Sequence, residues 1–356
     1  MTGTVLVAGA LGIIGSAVMA QCLAEGREAI GLSRRHPPEG SPGRYIAVDL
    51  TDATDCRNKL TGLRDVTHLV YAALFEKPNL GAGWLEADQI ATNVAMLTNL
   101  LDALEAGASA LRHITLLQGA KAYGVHLGQI PIPARESAPR HLHPNFYWEQ
   151  EDLIRSRQGR GGWRWTVMRP QVVLGFAPGS AMNMLAAIGA YAAISRARGL
   201  PLIYPGEGHR ITEATDVRLL AHATSWAGQA ETAADQIFNV TNGDVFVWQN
   251  VWPVIARQFG MEVGLPHPMP LATIMPGHAD TWARLVREYD LVPTTLEGLV
   301  GSSWQFADFA FSRTHSAASL ISTIKIRQAG FADCVDTEES LACHLEQLQR
   351  RRILPP

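Results

Sequence analysis

Three glycines near the start of the chain have a spacing that can bind a diphosphate. Gly9, Gly12 and Gly15 form a Gly-x-x-Gly-x-x-Gly pattern directly after the apolar run Thr4–Ala8. Glycines in a turn between a strand and a helix let the backbone approach a pyrophosphate, which the N–H groups at the helix N-terminus bind. The pattern therefore predicts a dinucleotide-binding turn; the alternative is a glycine-rich turn that binds nothing.

The residues after the second predicted strand indicate which dinucleotide binds. A site for NAD places an acidic residue here, which accepts a hydrogen bond from the ribose 2′-hydroxyl. This chain has Ser33, Arg34 and Arg35 instead, and two guanidinium groups suit a 2′-phosphate. The sequence predicts NADP(H), unless both arginines lie in a solvated basic loop. Asp49 and Leu50, which close the third predicted strand, are expected beside the adenine.

Short apolar runs alternate with helical patterns through the first half of the chain. The predicted strands are Thr4–Ala8, Ala29–Ser33, Tyr45–Asp49, His68–Ala72, His113–Gln118 and Trp165–Val173. Helices are predicted from about Ile14 to Cys22, from about Glu86 to Leu104 and from about Tyr147 to Arg157. Unbroken apolar strands are covered on both faces. The alternation predicts an α/β fold, a Rossmann-type doubly wound parallel sheet.

The pattern changes after Gly175, where prolines and glycines interrupt the alternation. Ile237–Val240 has the composition of a strand again, which predicts that residues 209–243 return to the first sheet. We therefore predict an NADP-binding Rossmann domain (residues 1–176 with 209–243) and a smaller, discontinuous C-terminal substrate domain (177–208 and 244–356). The apolar stretch Ala181–Ile194 is too short to span a bilayer and is predicted to be a buried helix.

Composition and motifs argue against several other classes of protein. The net charge is −3, so the protein as a whole has no positive electrostatic field that would attract nucleic acid or an anionic membrane. The cysteines form no Cys-x-x-Cys pair, and no Gly-x-Ser-x-Gly or His-Glu-x-x-His motif indicates a hydrolase. His141 and His143 have chelating spacing but no third ligand nearby, so we predict no metal. The N-terminus lacks the basic segment of a signal peptide, and a cytoplasmic location is expected.

The layout resembles the extended form of the short-chain dehydrogenase/reductase superfamily. That resemblance implies a Tyr-x-x-x-Lys pair and a serine after the fifth strand, because the lysine lowers the tyrosine pKa and the tyrosine exchanges a proton with the substrate. Tyr147 is present, but Glu151 occupies the lysine position and Gly119 the serine position. Lys121 could take over by favouring tyrosinate and stabilising charge on a substrate oxygen; the alternative is a solvated loop lysine.

A second resemblance covers essentially the whole chain. Lys121 with Tyr123, and the segment Asn145–Asp152, resemble the signature segments of the progesterone 5β-reductase/iridoid synthase-like (PRISE) reductases. The catalytic lysine and tyrosine of that family fall on Lys121 and Tyr147. The similarity continues through Ser180–Asn183, Asn242–Trp248 and Ala329–Phe331. This chain departs from the family at four positions that border the expected pocket: Leu74, Gln118, Ala122 and Trp148.

The family resemblance implies reduction of a C=C bond conjugated to a carbonyl group. Hydride from NADPH would reach the β-carbon, while Tyr147, assisted by Lys121, would stabilise the enolate oxygen. Asn93, on the helix after the fourth strand, either supports this site or is a buried helix-capping amide. The predicted substrate is a small apolar enone or carbonyl compound, with neither nucleic acid nor membrane as a partner. Exposed helix faces around Leu97 and Leu153 permit a homodimer.

The predicted site therefore extends beyond the catalytic pair Tyr147 and Lys121. Contacts to the cofactor are predicted for Gly9, Leu11, Gly12, Ile13, Ile14, Gly15, Ser33, Arg34, Arg35, Asp49, Leu50, Ala72, Ala73, Gln118, Tyr147, Val173, Ser180 and Met182. A substrate pocket is predicted at Leu74, Phe75, Phe146 and Met182, for which ordinary core packing is the alternative.

Two other functions stay open on the sequence alone. One is a carbonyl (1,2-) reductase or dehydrogenase, or a sugar-nucleotide epimerase or dehydratase, of the same superfamily, against which the missing serine and lysine argue. The other is a non-catalytic NADP-sensing protein, against which the retained Tyr147 argues.

Overall fold

A parallel sheet forms the centre of the fold in a computed structural model that describes residues 3–107, 110–206, 208–311 and 318–356. The strands are β1 (Thr4–Ala8), β2 (Ala29–Ser33), β3 (Arg44–Ala47), β4 (Val66–Tyr71), β5 (His113–Leu117), β6 (Arg164–Pro170), β7 (Val172–Leu174), β8 (Ile211–Thr212), β9 (Ala214–Asp216), β10 (Gln236–Val240) and β11 (Phe246–Val247). The helices are α1 (Ile13–Ala24), α2 (Ala53–Leu60), α3 (Leu80–Gly83), α4 (Ala87–Ala106), α5 (Phe146–Gly161), α6 (Met184–Ala197), α7 (Val217–Ala227), α8 (Trp248–Gln258), α9 (Leu271–Ile274), α10 (Ala279–Glu288), α11 (Leu296–Leu299), α12 (Ser303–Phe311), α13 (Ile324–Gln328) and α14 (Thr337–Arg350).

The sheet order confirms the predicted fold class. Among the described residues, seven strands pair in the order β3-β2-β1-β4-β5-β6-β10, and every neighbouring pair is parallel. After β3 the chain crosses to the other side of β1 and forms β4, so the strand order reverses between β1 and β4. In open α/β sheets a ligand binds outside the carboxyl ends of the strands at such a switch point.

The register of the central strands brings three segments to one edge. Ala8 pairs with Tyr71, Tyr71 pairs with Leu116, and Leu117 pairs with Met168. Because the strands are parallel and end level with one another, the segments that begin at residues 9, 72 and 118 leave the sheet side by side. These segments contain the glycine-rich turn, the predicted pocket residues Leu74 and Phe75, and the predicted catalytic Lys121.

The predicted strand Trp165–Val173 is two strands in the structure. β6 ends at Pro170, whose nitrogen has no hydrogen to donate, and β7 pairs with β9 outside the main sheet. Between them, the Gln171 N–H donates to Thr215 Oγ1 (3.1 Å). In the sequence, Arg169, Pro170 and Gln171 interrupt the apolar residues at this break. The predicted helix Ala181–Ile194 is confirmed as α6, which begins later because Asn183 caps it.

Helices cover both faces of the sheet. Leu97 and Leu100 of α4 and Ile154 of α5 pack on one face, and Val18 of α1 and Ala221 of α7 pack on the other. Leu97 is fully buried, so the expectation that it marks an exposed face for a homodimer is wrong. In the part of the chain that the structure describes, no helix combines the length and apolar character needed to cross a bilayer.

A separate apolar cluster lies among the helices that follow β7. Trp252 of α8, Trp282 of α10, Trp304 of α12 and Leu341 of α14 pack there around α6. The later segment that contains α13 packs instead with β10, through Phe331 and neighbouring side chains. The division into two domains stays a prediction.

Candidate active site

A cavity of about 740 Å³ opens at the carboxyl edge of the sheet. The structure brings together along its wall these predicted site residues: Gly9, Leu11, Gly12, Ile13, Ile14, Ser33, Arg34, Arg35, Leu50, Ala72, Ala73, Leu74, Phe75, Gln118, Lys121, Phe146, Tyr147, Val173, Ser180 and Met182. The glycine-rich turn and the two catalytic candidates therefore share one cavity.

Two predicted cofactor contacts, Gly15 and Asp49, do not line the cavity. A Cβ on Gly15 would lie 2.2 Å from the Gly9 carbonyl oxygen, so Gly15 allows α1 to pack on the turn. Asp49 Oδ1 accepts hydrogen bonds from the Thr51 N–H (2.9 Å) and hydroxyl (2.7 Å). Asp49 therefore shapes the turn after β3, and Leu50 and Thr51 face the cavity instead.

The glycine-rich turn fits a dinucleotide diphosphate. Gly9 has φ +79°, and a Cβ there would lie 2.7 Å from the Ala72 carbonyl oxygen. Gly12 begins α1 without a side-chain hydrogen bond to the helix N-terminus. The first N–H groups of α1 are thus available to an anion at the positive end of the helix dipole.

The basic residues after β2 also face the cavity. Ser33 Oγ accepts the N–H of Arg35 (3.2 Å), and Arg35 Nη1 donates to the Pro178 carbonyl oxygen (3.2 Å). Among the described lining residues the only acidic side chain is Glu76, which binds Lys121. No lining carboxylate is therefore placed to accept a ribose 2′-hydroxyl beside Arg34 and Arg35.

Asn145 joins the turn that contains Lys121 to the helix that contains Tyr147. It is the N-cap of α5, and its Oδ1 accepts the Tyr147 N–H (3.0 Å). Its Nδ2 donates to the carbonyl oxygen of Lys121 (2.9 Å). One buried amide thus fixes both backbones relative to each other.

The ammonium group of Lys121 lies in a polar and aromatic cluster. Its Nζ is 3.1 Å from Glu76 Oε1 and 4.5 Å from the ring centroid of Trp84. Glu76 also accepts hydrogen bonds from Trp84 Nε1 (3.1 Å) and from Gln89 Nε2 (2.7 Å). Lys121 is therefore a part-buried, paired cation at the cavity wall, rather than a solvated loop lysine.

The electrostatics of the site favour a neutral tyrosine. Burial raises the pKa of Tyr147 well above its usual value, and the Glu76 carboxylate raises it further, whereas Arg169 lowers it. Burial lowers the pKa of Lys121, and Glu76 opposes that effect. The expectation that Lys121 favours tyrosinate does not hold in this arrangement, since Glu76 offsets its charge. The Tyr147 hydroxyl is instead suited to donate a hydrogen bond.

The glutamate that occupies the expected lysine position forms a buried ion pair. Glu151 Oε1 is 2.7 Å from Arg169 Nη2, and both side chains are almost fully buried. Arg169 Nε donates to Gln118 Oε1 (3.2 Å), and Gln118 Nε2 donates to the Tyr147 carbonyl oxygen (2.9 Å). Glu151 thus supports the backbone of Tyr147 through a hydrogen-bonded network.

Packing does not require a glycine at the position where a serine is expected. Gly119 has an extended backbone (φ 175°). A Cβ there would lie 3.7 Å from the Tyr147 hydroxyl oxygen and 3.5 Å from the Pro170 carbonyl oxygen, which are ordinary contacts. The site therefore has room for a serine but no hydroxyl to relay a proton from Tyr147 at this position.

Asn93 supports the site from α4. Its Oδ1 accepts the Phe75 N–H (2.9 Å), and its Nδ2 donates to the Phe75 carbonyl oxygen (2.9 Å). This fully buried amide holds the segment that presents Leu74, Phe75 and Glu76 to the cavity. Asn93 Nδ2 also donates to the Gln89 carbonyl oxygen within α4 (2.9 Å), and a role of Asn93 in catalysis stays a prediction.

Sequence reasoning missed Glu76, Trp84 and Arg210, which all line the cavity. A signal for Glu76 was present, because it follows β4 closely and Lys121 follows the neighbouring β5. Parallel neighbours end at the same edge, so this pair could have been expected. Trp84 and Arg210 come from loops, and no local pattern places them.

The two histidines with chelating spacing lie beside a third. The ring centroid of His126 is 5.7 Å from that of His141 and 6.3 Å from that of His143. Burial and the charge of Lys121 lower the pKa of His126 to about 3. Within the described ranges, no three side chains of His, Cys, Asp or Glu are arranged to hold a metal ion.

Residues 49–316 match the family described as the PRISE-like Rossmann-fold domain. The chain belongs to this family. As a PRISE-like protein it is an NAD(P)-dependent oxidoreductase, so the predicted enzyme class is confirmed. It is 31% identical to the (S)-8-oxocitronellyl enol synthase of Catharanthus roseus, over 98% of this chain and 92% of that protein. An (S)-8-oxocitronellyl enol synthase of Camptotheca acuminata is 33% identical over 91% of this PRISE-like chain and 85% of that protein.

Solved structures share the Rossmann-type fold of this PRISE-like protein over nearly its whole length. A UDP-glucose 4-epimerase from Thermotoga maritima superimposes with a TM-score of 0.68 at 16% identity, over 98% of this chain and 99% of that chain. RMD from Pseudomonas aeruginosa, complexed with NADPH, also has a TM-score of 0.68, at 17% identity over 99% of both chains. At these identities the likeness concerns the fold alone.

Proposed function

We propose that this protein is an NADPH-dependent reductase of C=C bonds conjugated to a carbonyl group. The observation that carries the proposal is the position of a neutral Tyr147 and a paired Lys121 in the cavity that contains the glycine-rich turn. Both groups can stabilise negative charge on a carbonyl oxygen, while the serine and lysine of a proton relay are replaced by Gly119 and Glu151.

The Tyr147 hydroxyl donates a hydrogen bond to the substrate carbonyl oxygen in this proposal. When hydride adds to the β-carbon, the electron pair of the C=C bond moves toward that oxygen and forms an enolate. The hydrogen bond strengthens as the charge develops, which lowers the barrier. The ammonium of Lys121 adds positive potential, reduced by Glu76. A proton from solvent water, added at the α-carbon of the enolate, then gives the saturated carbonyl compound.

The residues present fit NADP(H), which supplies the hydride when it is bound. Gly9, Gly12 and the N-terminus of α1 would hold the diphosphate, and Arg34 and Arg35 would bind the 2′-phosphate as planar charged donors. Proteins of similar fold have been solved with NAD and with NADPH, so the arginine pair is the argument for NADPH.

The names of the relatives support the reaction type. They are synthases of an enol, and an enol is what forms when hydride adds to the β-carbon of an enal and the oxygen takes a proton. A (1,2-) carbonyl reductase would instead need a proton for the carbonyl oxygen at the moment of hydride transfer, and the relay for it is missing.

A cytoplasmic location and a homodimer also remain proposals.

The test is NADPH consumption with cyclic and acyclic enones and enals, followed by identification of the product. We expect a saturated ketone or aldehyde from the wild type. Because removal of one such donor typically costs about 10²–10³ in rate, Tyr147→Phe and Lys121→Ala should each lower kcat by about this factor. Tyr45→Phe, which changes a phenol that does not line the cavity, is the matched control.

Three results would contradict the proposal. An allylic alcohol as the product would indicate 1,2-reduction. Binding of NADPH without oxidation across the whole panel would favour a sensor. Full activity of Lys121→Ala would remove the lysine from the mechanism.

A further inference from the structure

Arg210 stands apart from the other charged residues of the cavity. Five charged side chains line the described wall: Arg34, Arg35, Glu76, Lys121 and Arg210. The first two are assigned above to the cofactor, and the next two form an ion pair. Arg210 is thus the one described lining cation that is left without an assignment.

The guanidinium of Arg210 is poorly satisfied by the described residues. Its Nε is buried and has no hydrogen-bond partner among them. Its Nη1 lies 3.5 Å from the Phe309 carbonyl oxygen, which is a long contact. Burial lowers the pKa of this guanidinium, yet an arginine stays charged in proteins. Arg210 is partly buried as a residue, and a positive charge that is partly removed from water without a partner is stabilised by an anionic ligand.

Aromatic side chains lie between Arg210 and the catalytic candidates along the cavity. Lys121 Nζ lies over the ring of Trp84, and the Trp84 ring packs edge-on against Phe309, with centroids 5.8 Å apart. Phe309 in turn provides the carbonyl oxygen that Arg210 approaches. Phe306 lines the cavity from the same helix, α12. A ligand that reaches from Lys121 to Arg210 therefore passes along aromatic side chains.

We propose that Arg210 binds a carboxylate at the end of the substrate opposite the reacting carbonyl, so that the preferred substrates are enals or enones with an apolar spacer and an acid group. The planar guanidinium matches a carboxylate with two parallel hydrogen bonds. The aromatic wall accepts the spacer, while Tyr147 and Lys121 hold the carbonyl oxygen. This inference rests on the proposed function and names the substrate class for the same site.

The experiment compares a homologous series of linear ω-carboxy enals with their methyl esters. The ester keeps the length and the reacting enal but removes the negative charge. Since a hydrogen-bonded pair of charged groups contributes on the order of a tenfold to hundredfold difference in binding, the wild type should favour the acid by this factor in kcat/KM. Most of the effect should be in KM, because the carboxylate contact is the same in the ground state and the transition state.

Variants of Arg210 test whether the preference comes from this residue. Arg210→Met should abolish the acid-to-ester preference, and Arg210→Lys should retain part of it, because a lysine is a point charge without the planar fork. Arg198→Met is the matched control, since Arg198 donates to His278 at the surface. As a second measurement, the saturated ω-carboxy aldehyde should inhibit the wild type more strongly than its methyl ester does.

The outcomes separate this inference from the proposed function. If the wild type reduces neither series, the proposed function fails. If it reduces acids and esters equally well, or if Arg210→Met keeps the preference, the enone reductase stands and the carboxylate site is wrong. If Arg210→Met does not fold, Arg210→Lys decides: an acid preference equal to that of the wild type would overturn the proposal.

Discussion

Lys121 Nζ and Glu76 Oε1 lie 3.1 Å apart at the wall of the cavity, with 13% and 6% of their side chains exposed. In the proposed reaction this pair sets the electrostatic potential at the substrate carbonyl oxygen. The Glu76 carboxylate raises the pKa of Lys121 and also that of Tyr147. Both effects favour the protonated form of a group that donates toward the substrate in the proposed reaction.

Replacement of Glu76 by glutamine should therefore narrow the pH range of activity. Without the carboxylate, the pKa of Lys121 and the pKa of Tyr147 both fall. The protonated forms are then lost at lower pH, and the basic limb of the kcat–pH profile should move down by about one pH unit or more. Glu86→Gln is the control, because Glu86 pairs with Lys77 outside the cavity lining. A basic limb that stays in place would show that neither group titrates in the profile.

The two arginines after β2 should determine the choice of cofactor. Arg34→Ala and Arg35→Ala should each weaken NADPH binding by about tenfold or more, because a charge-assisted hydrogen bond to the 2′-phosphate is lost. NADH binding should change much less, since NADH has no 2′-phosphate. Fluorescence titration with both cofactors measures the two Kd values. Arg57→Ala, on α2 and away from the cavity lining, controls for a general loss of positive charge. Equal losses of affinity for NADPH and NADH in the Arg34 and Arg35 variants would contradict the assignment.

Asn145 should matter more for catalysis than for stability. Asn145→Ala removes the N-cap of α5, which typically costs about 1 kcal/mol, and it also frees the Lys121 backbone from the start of the helix. We expect kcat to fall at least tenfold while the free energy of unfolding falls by about that cap energy. Asp52→Ala removes a comparable cap, that of α2, and should lower stability alone. If both variants keep full kcat, Asn145 is only a helix cap.

Local patterns in the sequence were sufficient for much of the fold and for part of the site. The glycine turn, Tyr147 and Lys121 each belong to a local motif, and apolar runs identify the strands of the main sheet. Pro170 was a local signal for the end of β6, but the pairing of β7 with β9 outside the main sheet depends on a tertiary contact that no local pattern shows. Arg210 and Phe309 could not be placed for a similar reason. Their position at the cavity depends on tertiary contacts, such as the one between Trp84 and Phe309.

Glu151 should be indispensable for stability although it stands where a catalytic lysine would be expected. It is buried against Arg169, and removal of one partner of a buried pair typically costs about 3–5 kcal/mol. Glu151→Gln should lower the free energy of unfolding in urea by up to this amount. Glu151→Lys, which would create a Tyr-x-x-x-Lys pair, should lose more, because it places a third cation beside Arg169 and Arg140.

The neighbouring Asp152 provides the control for that measurement. Asp152→Asn alters an exposed ion pair with Arg140, and exposed pairs contribute about 0–1 kcal/mol. A Glu151→Lys protein as stable as the wild type would contradict this account of the buried network. If instead the variant unfolds as expected, a single substitution cannot restore the Tyr-x-x-x-Lys arrangement, because Arg169 already occupies the space beside it and also supports Tyr147 through Gln118.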